Sequence, residues 1–189
     1  IYVRAVNDGG NGAWSDEVTI TTPAPITETP PSSAPTEPTP AGTGDLALYS
    51  DATGWASTVT LGTQTSWSGG SEGSLDLSGN TVKSLTTEFV GYEPGSIDFT
   101  GYTTLHVQVW TSGHSGIKIK LADFIDGSYS TGITEYEYTA TISSTDQWVQ
   151  LDIPLTTWSD NMTNFNDIQQ IIFTGADADN TGATTYYID

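Results

Sequence analysis

The sequence of 189 residues contains no cysteine and only four lysine and arginine residues, against 23 aspartate and glutamate residues. The lack of cysteine excludes a disulfide framework and thiolate chemistry. The net charge of −19 argues against binding to nucleic acids or anionic membranes, because phosphate binding rests on lysine and arginine side chains. No apolar run approaches the roughly 18 residues that a membrane-spanning helix needs, so the sequence predicts no membrane span.

Long stripes of Leu, Ala, Glu and Lys at helical spacing are also missing, which disfavours a helical fold. Short apolar alternations separated by Gly, Asn, Asp and Pro favour an all-β protein instead. The candidate strands are 46–49, 58–61, 74–77, 81–91, 97–99, 104–110, 116–124, 134–142, 147–153, 168–174 and 184–188. Short strands at this spacing predict a jelly-roll β-sandwich of the galactose-binding-like kind.

Composition divides the chain into three segments. Residues 1–22 predict a strand, an Asn/Gly turn and a second strand, and they resemble the last two strands of a fibronectin type III domain. Residues 23–43 hold seven prolines among Thr, Ser and Glu, which predicts an extended linker that acts as a semi-rigid spacer. Residues 44–189 hold the predicted sandwich. Because the first residue is not Met, we expect the chain to be a piece of a larger polypeptide.

An ordered set of motifs across residues 44–189 resembles a known family. The set includes "LYSDATGW", "FVGYE", "IKIKLADF", "WVQLDIPL", "IQQIIFTGA" and "TTYYID". These segments are similar to those of jelly-roll carbohydrate-binding modules appended to bacterial glycoside hydrolases, notably β-glucanases of the laminarinase kind. The resemblance implies a non-catalytic, secreted or cell-surface module that binds polysaccharide for a catalytic domain of the same polypeptide. It makes a β-1,3- or mixed-linkage glucan the first candidate ligand.

The two ends of the predicted sandwich carry a further resemblance. The opening "LYSDATGW" and the closing "YYID" are similar to the termini of carbohydrate-binding families that carry a structural calcium ion. The resemblance implies that Asp51 and Asp189 hold Ca²⁺. Their hard carboxylate oxygens suit that ion if the terminal strands pair and bring the two residues together.

The stretch from Leu105 to Phe124 predicts two alternating strands joined by a Gly-rich turn, that is, a hairpin. Its polar face, joined by one residue of a later strand, would hold His106, Gln108, Trp110, Lys118, Lys120 and Gln150. A tryptophan can stack on the apolar face of a sugar ring while amide, imidazole and ammonium groups bond its hydroxyls. In the alternative interpretation, Lys118 and Lys120 pair with Glu135 and Glu137, and Trp110 is a packing residue.

Aromatic residues in polar loops form a second candidate site at the rim of the sandwich. Trp67 in "TSWSGG" and Tyr92 are its main members, and His114, Tyr129 and Trp158 are further ones. Rings in such loops are hard to bury locally, which favours exposure. The alternative is that they cover the ends of the hydrophobic core.

Catalysis has little support in the sequence. Glu135 and Glu137 share a strand face, but a glycosidase needs two carboxyl groups flanking a cleft, one of them desolvated. No nucleophile elbow, zinc-binding helix motif or phosphate-binding loop occurs. The sequence therefore predicts a binding module and not an enzyme. The alternative function is a protein-interaction or adhesion module that packs on a catalytic domain or a cell-surface partner.

Overall fold

The computed structural model describes residues 28–40, 44–86, 88–175 and 185–189, together with two short pairs of residues near the start of the chain. Those pairs form two antiparallel strands, β1 (Val6–Asn7) and β2 (Gly10–Asn11). The other residues of the predicted fibronectin type III segment lie outside the described residues. The three-segment division therefore stays a prediction.

Strands dominate the described part of residues 44–189. They are β3 (Leu46–Ala47), β4 (Ser57–Thr58), β5 (Ser71–Leu77), β6 (Asn80–Thr86), β7 (Phe89–Tyr92), β8 (Thr104–Thr111), β9 (Gly116–Phe124), β10 (Ile133–Thr141), β11 (Val149–Pro154), β12 (Ile168–Gly175) and β13 (Thr185–Ile188). The helical elements are a 3₁₀ turn at Ile125–Gly127 and the single-turn helix α1 (Thr156–Ser159). No helix in the described part of the chain is long and apolar enough to cross a membrane.

Two antiparallel sheets form the sandwich. One has four strands in the order β10-β9-β12-β7, and the other has five in the order β11-β8-β13-β6-β5. The predicted all-β sandwich is therefore confirmed. A short parallel pair, β3 with β4, accompanies the two sheets.

The core lies between the two sheets because each strand alternates apolar and polar side chains. Ile117, Ile119 and Leu121 of β9 are almost fully buried, as are Val107 and Val109 of β8. Residues paired across a ladder share a face, so the register of the strands assigns the paired positions to the core or to the outside.

The predicted hairpin between β8 and β9 is wrong. β8 pairs with β11 and β13 in the five-stranded sheet, whereas β9 pairs with β10 and β12 in the four-stranded sheet. Both strands bury one face, and that alternation fits a hairpin and a crossing between two sheets equally well. Residues 112–115 therefore carry the chain across the sandwich.

One lysine is part of the core. Lys83 is 6% exposed, and its Nζ lies 2.7 Å from Glu72 Oε1 and 3.0 Å from the carbonyl oxygen of Gly62. The same ammonium group lies 5.0 Å from the ring centre of Tyr49 and 5.1 Å from that of Tyr92. The ion pair, the carbonyl and the two rings together replace the water that a buried charge loses.

Candidate functional site

The strip of polar residues predicted between Leu105 and Phe124 is divided between the two outer faces of the sandwich. Lys118 and Lys120 point outward from β9 in the four-stranded sheet. His106, Gln108 and Trp110 point outward from β8 in the five-stranded sheet. The prediction that these five side chains share one face is wrong, because their two strands belong to different sheets. Gln150 pairs with Gln108 and lies on the five-stranded side.

The two lysines of the four-stranded sheet form ion pairs with the neighbouring strand. Lys118 Nζ lies 3.3 Å from Glu137 Oε1, and Lys120 Nζ lies 3.3 Å from Glu135 Oε1. All four side chains are partly exposed. The structure therefore has the cross-strand pairs of the alternative interpretation, and these pairs leave polar atoms on an open surface.

Trp67 lies on the outer side of the same sheet, above β7. Its indole covers Gly91 so closely that a Cβ atom at residue 91 would collide with the ring. The ring also stacks against Phe89, with centroids 6.1 Å apart and planes inclined by 24°. Trp67 is 38% exposed, so part of the ring stays open to a ligand.

Two polar side chains are linked to this open ring by hydrogen bonds. The Trp67 Nε1–H donates to Glu93 Oε1 over 3.1 Å, and Gln170 Nε2 donates to the same oxygen over 2.8 Å. The ladder register also aligns one row across the sheet, from Glu137 through Lys120 and Ile172 to Gly91 beneath the indole. With strands about 4.8 Å apart, this row is about 14 Å long. We call the surface formed by Trp67, Glu93, Gln170, Lys118, Lys120 and their paired glutamates the four-stranded face.

The outer side of the five-stranded sheet carries a polar network at β8 and β11. His106 Nδ1 lies 2.6 Å from Asp152 Oδ1, and the Gln150 amide donates to the same oxygen over 2.7 Å. Gln108 Nε2 donates to Gln150 Oε1 over 3.2 Å. Hydrogen bonds from Gln150 and His106 hold the pKa of Asp152 below its usual range. These side chains are accessible, but they satisfy one another.

Trp110, the aromatic ring predicted to stack a sugar, is covered. It is only 9% exposed, and its Nε1–H donates to the carbonyl oxygen of Thr29 over 3.1 Å. The ring of Trp148 packs edge-on against it, with centroids 6.0 Å apart. Residues of the Pro-rich segment therefore occupy the surface that a sugar ring would need.

Tyr92 is not available to a ligand, which corrects its assignment to the loop rim. It is 0% exposed and packs edge-on against Phe173, with centroids 6.1 Å apart. Burial raises the pKa of its hydroxyl far above the usual value. The reason is parity: β7 extends to residue 92, so Tyr92 points inward while Gly91 points outward. Of the further rim candidates, His114 and Trp158 are buried and Tyr129 is exposed.

Sequence reasoning missed Glu93 and Gln170, the two residues that hydrogen-bond around Trp67. A signal for this arrangement existed at Gly91, because a glycine inside a strand often marks a close approach by another group. Nothing in the sequence connected that glycine with a tryptophan 24 positions earlier. The contact depends on how the loop before β5 returns over β7, where Thr65 and Ser68 bond the Gly91 backbone.

Asp51 and Asp189 belong to one acidic cluster at the end of the five-stranded sheet. Asp51 Oδ2 accepts from the Thr81 backbone N–H over 2.6 Å, and the Asn80 amide donates to Asp189 Oδ2 over 3.4 Å and to Glu37. Burial raises the pKa of Asp189 to about 6, with further contributions from the charges of Glu37 and Asp51.

Two oxygens of this cluster are buried without a hydrogen-bond partner, Asn80 Oδ1 and Asp189 Oδ1. Orphaned oxygens beside several carboxylates are the donor chemistry that Ca²⁺ prefers. Within residues 28–40, 44–86, 88–175 and 185–189, however, no three carboxylate or imidazole groups lie close enough together to hold a metal ion. A calcium site here would therefore need the Asn80 side-chain oxygen as a ligand beside the carboxylates of Asp51 and Asp189.

A groove of about 480 Å³ opens beside the N-terminal half of β8. Its lining includes the outward-facing residues His106, Gln108 and Gln150 as well as side chains of the hydrophobic core, such as Leu61, Phe99 and Phe173.

The sequence matches no protein-family model and no curated protein. Among solved structures, the chain is similar to a family 30 carbohydrate-binding module, with a TM-score of 0.52, 16% identity and coverage of 69% of this chain and 84% of the other. The chain is also similar to a family 30 module of a cellulosomal cellulase of Clostridium thermocellum, with a TM-score of 0.51 and 14% identity; the match covers 69% of this chain and 93% of the other. A third similar structure is a family 11 module of the same organism in complex with a β-1,3-1,4-mixed-linked tetrasaccharide. Its TM-score is 0.50 and its identity 14%, and the match covers 67% of this chain and 82% of the other. At this identity the similarity shows the fold, a β-sandwich shared with carbohydrate-binding modules.

Proposed function

We propose that this protein is a non-catalytic carbohydrate-binding module that binds polysaccharide on its four-stranded face. The observation that carries the proposal is the open indole of Trp67, which lies over Gly91 and donates to Glu93, the acceptor that Gln170 also bonds. A flat, partly exposed ring on an extended polar sheet suits a long sugar chain better than a small molecule in a closed pocket.

The chemistry of the four-stranded face matches that of a neutral sugar chain. The apolar C–H face of a pyranose ring would stack on Trp67, where burial of a large aromatic surface gives the main contribution to binding. Glu93 would accept hydrogen bonds from hydroxyls, and the Gln170 amide would donate and accept them. The two ammonium groups of Lys118 and Lys120 are already balanced by glutamates. With a net charge of −19, the protein would repel an anionic glycan.

A β-1,3- or mixed-linkage glucan is the ligand we propose first. Support comes from the motifs that resemble laminarinase-associated modules and from the fold shared with a module bound to a mixed-linked tetrasaccharide. In this proposal the module belongs to a secreted or cell-surface bacterial glycoside hydrolase. Tethering would raise the effective concentration of polysaccharide around the catalytic domain of the same polypeptide without any chemistry by the module itself.

Affinity electrophoresis of the full chain against a panel of polysaccharides tests the proposal. The panel contains laminarin, mixed-linkage glucan, xylan, mannan, a chitin derivative and alginate. We expect retardation by a neutral glucan and none by alginate, which is anionic. Uniform migration in every gel would contradict carbohydrate binding. Turnover of a glycan that disappears in Glu135→Gln or Glu137→Gln would contradict the non-catalytic assignment.

A protein-interaction or adhesion module is the second candidate function, because one face of the sandwich already contacts polypeptide. Residues Thr29 and Ser33 accept hydrogen bonds from Trp110 and Trp148. This alternative predicts that no glycan retards the protein. It also predicts that the four-stranded face is covered when the partner is present, which would protect Trp67 from oxidation.

We also propose that Ca²⁺ binds at Asp51 and Asp189, with the Asn80 side-chain oxygen as a further ligand. The support is the resemblance of the two ends of the sandwich to calcium-carrying families, together with the two orphaned buried oxygens. The ion would neutralise the repulsion among Glu37, Asp51 and Asp189 and so stabilise the ends of the five-stranded sheet. It would have no role in chemistry.

A further inference from the structure

The outer side of the five-stranded sheet carries an apolar and aromatic stripe. Register places Trp110 beside Tyr187 and Tyr187 beside Ser84, and the ring of Trp148 packs on Trp110. Val82 belongs to the same outer side, because its neighbours Thr81 and Lys83 point inward, yet it is completely buried. An outward valine with no exposure shows that something other than the opposite sheet covers this stripe.

Residues 28–40, which we call the strap, contact the two tryptophans of this stripe. The Trp110 Nε1–H donates to the Thr29 carbonyl over 3.1 Å, and the Trp148 Nε1–H donates to the Ser33 carbonyl over 2.8 Å. Two prolines of the strap, Pro31 and Pro35, are buried, although neither belongs to the sandwich itself. Accepting carbonyls and buried prolines therefore alternate every two residues along the strap, in the order Thr29, Pro31, Ser33 and Pro35.

Charged and polar contacts hold both ends of the strap. At one end, Glu28 accepts from the backbone N–H and the hydroxyl of Thr185 over 2.9 and 2.8 Å. The Thr29 N–H donates to Ser112 Oγ over 2.9 Å, and that hydroxyl donates to the Thr29 carbonyl over 2.8 Å. At the other end, Glu37 accepts from Asn80 and, over 3.4 Å, from Ser50.

This combination of contacts is the chemistry by which aromatic grooves recognise Pro-rich peptides. Such grooves bury proline rings against aromatic side chains and bond the exposed peptide carbonyls with indole N–H groups. A Pro-rich segment loses little conformational entropy on docking because its backbone is already restricted. The stripe around Trp110 and Trp148 offers both the apolar surface and the two donors.

We infer that the outer side of the five-stranded sheet is a docking groove for a Pro-rich segment, and that residues 28–40 of the same chain occupy it in solution. The part of the linker that follows Glu28 is then a fixed strap and not a spacer. Docking holds the chain at Thr185, on the side of the sandwich opposite to Trp67. The inference does not depend on carbohydrate binding, because the strap and the four-stranded face lie on opposite sides.

Amide hydrogen exchange of the full chain tests the inference, with Thr29 as the reporter because its N–H bonds Ser112. We expect Thr29 to exchange at least about tenfold more slowly than in an unstructured peptide, since exchange requires the strap to lift. The variant Pro31→Gly/Pro35→Gly removes both buried rings and should lower this protection by about tenfold. The matched control is Pro38→Gly, at an exposed proline of the same strap, which should leave the protection unchanged.

Exchange of Thr29 at the rate of a free peptide would overturn the inference, as would equal effects of the buried and exposed proline variants. Protection that rises with protein concentration would also overturn it, because it would mean that a second copy supplies the strap. These variants change only the strap. The sandwich should therefore stay folded in all of them, and any fall in melting temperature should reflect the lost strap contacts.

Disulfide trapping gives an independent reading. The chain has no cysteine of its own, so Thr29→Cys/Ser112→Cys contains a single pair of thiols. We expect this pair to oxidise within one chain under native conditions. The control Thr29→Cys/Thr139→Cys, whose second cysteine lies on the opposite side of the sandwich, should stay reduced. Equal oxidation of both pairs would show a free linker and would overturn the docked strap.

Discussion

The indole of Trp67 lies directly over Gly91 of β7, and the two residues cannot keep this arrangement if residue 91 gains a Cβ atom. The glycine therefore creates the platform on which the open ring rests. Because Gly91 sits in an ordinary strand, with no positive φ, alanine is compatible with its backbone. The three nearest atoms to the added methyl group all belong to the indole.

We therefore predict that Gly91→Ala weakens polysaccharide binding without unfolding the protein. The added methyl group would lift the ring from the sheet and from Glu93. The indole would then no longer be held in one orientation for stacking against a sugar ring. We expect Kd to rise by about tenfold, equivalent to about 1.4 kcal/mol. Isothermal titration against the retarding glycan measures the change, with Gly101→Ala as a control at a glycine that has open space around it. An unchanged Kd in Gly91→Ala would show that the orientation of Trp67 is irrelevant.

The hydrogen bonds around Trp67 give a second prediction. Glu93 accepts from both Trp67 and Gln170, so Glu93→Ala removes a ligand acceptor and releases two neighbours together. We expect a loss of about 1 kcal/mol in binding free energy, the size of one or two net hydrogen bonds. The control is Asp152→Ala on the opposite side of the sandwich, which should bind as the unmodified protein does. Equal losses in both variants would point to a global effect on stability.

The buried ion pair of Lys83 and Glu72 predicts a difference between two lysines in the same protein. Replacing Lys83 by methionine leaves Glu72 without its partner inside the core, at a cost of about 3 kcal/mol in the free energy of unfolding. Replacing Lys118 by methionine breaks only a partly exposed pair and should cost about 0.5 kcal/mol. Urea denaturation of both variants checks the prediction. If Lys83→Met lowered the free energy of unfolding no more than Lys118→Met does, the placement of the Lys83–Glu72 ion pair in the core would be contradicted.

The raised pKa of Asp189 predicts how stability depends on pH when divalent metal is removed with EDTA. The folded protein holds this proton more tightly than the unfolded chain, because the pKa is about 6 in the fold and lower in the unfolded state. Stability should therefore fall as the pH rises from about 4 to about 6 and stay lower above it, so far as Asp189 contributes. Asp189→Asn should remove this part of the slope. A variant with the same slope as the unmodified protein would place the titration on other groups.

Calcium should reverse that loss at neutral pH. Millimolar Ca²⁺ is expected to raise the melting temperature at pH 7.5, because an ion that binds only the folded state stabilises it by mass action. Asp189→Asn and Asp51→Asn should abolish the increase, and EDTA should reverse it. Asp98→Asn is the control, since Asp98 is exposed and its carboxylate accepts hydrogen bonds from the neighbouring Thr100. An equal increase in all of these proteins would indicate a general effect of salt.

Alternation of side chains was enough to predict most strands and the sandwich, but not how they divide between two sheets. The predicted strand 81–91 is in fact two strands, β6 and β7, in different sheets, and the predicted strand 97–99 is only an isolated bridge at Ile97. Leu105, Val107 and Val109 and their counterparts Ile117, Ile119 and Leu121 have the same pattern whether β8 and β9 form a hairpin or face each other across the core. Only the long-range pairings of β8 with β11 and of β9 with β12 decide this. For the same reason, the sequence placed His106 and Lys120 on one surface.

The exposure of the tryptophans could not be predicted either. Trp110 and Trp67 are both outward residues, and the sequence patterns favoured the exposure of both. The difference arises because Thr29 and Ser33 return to cover one sheet. Thr29 lies 81 residues before Trp110, and Ser33 lies 115 residues before Trp148. A Pro-rich composition predicts an extended segment, but it does not say which surface that segment contacts.

The most direct test of the account compares two tryptophans on opposite sides of the sandwich by affinity electrophoresis. With the glycan that retards the unmodified protein, Trp67→Ala should migrate freely, while Trp148→Ala should be retarded as before. This result would place polysaccharide binding on the four-stranded face. Retardation that survives in Trp67→Ala and disappears in Trp148→Ala would contradict the account and place the glycan under the strap, beside His106, Gln108 and Gln150.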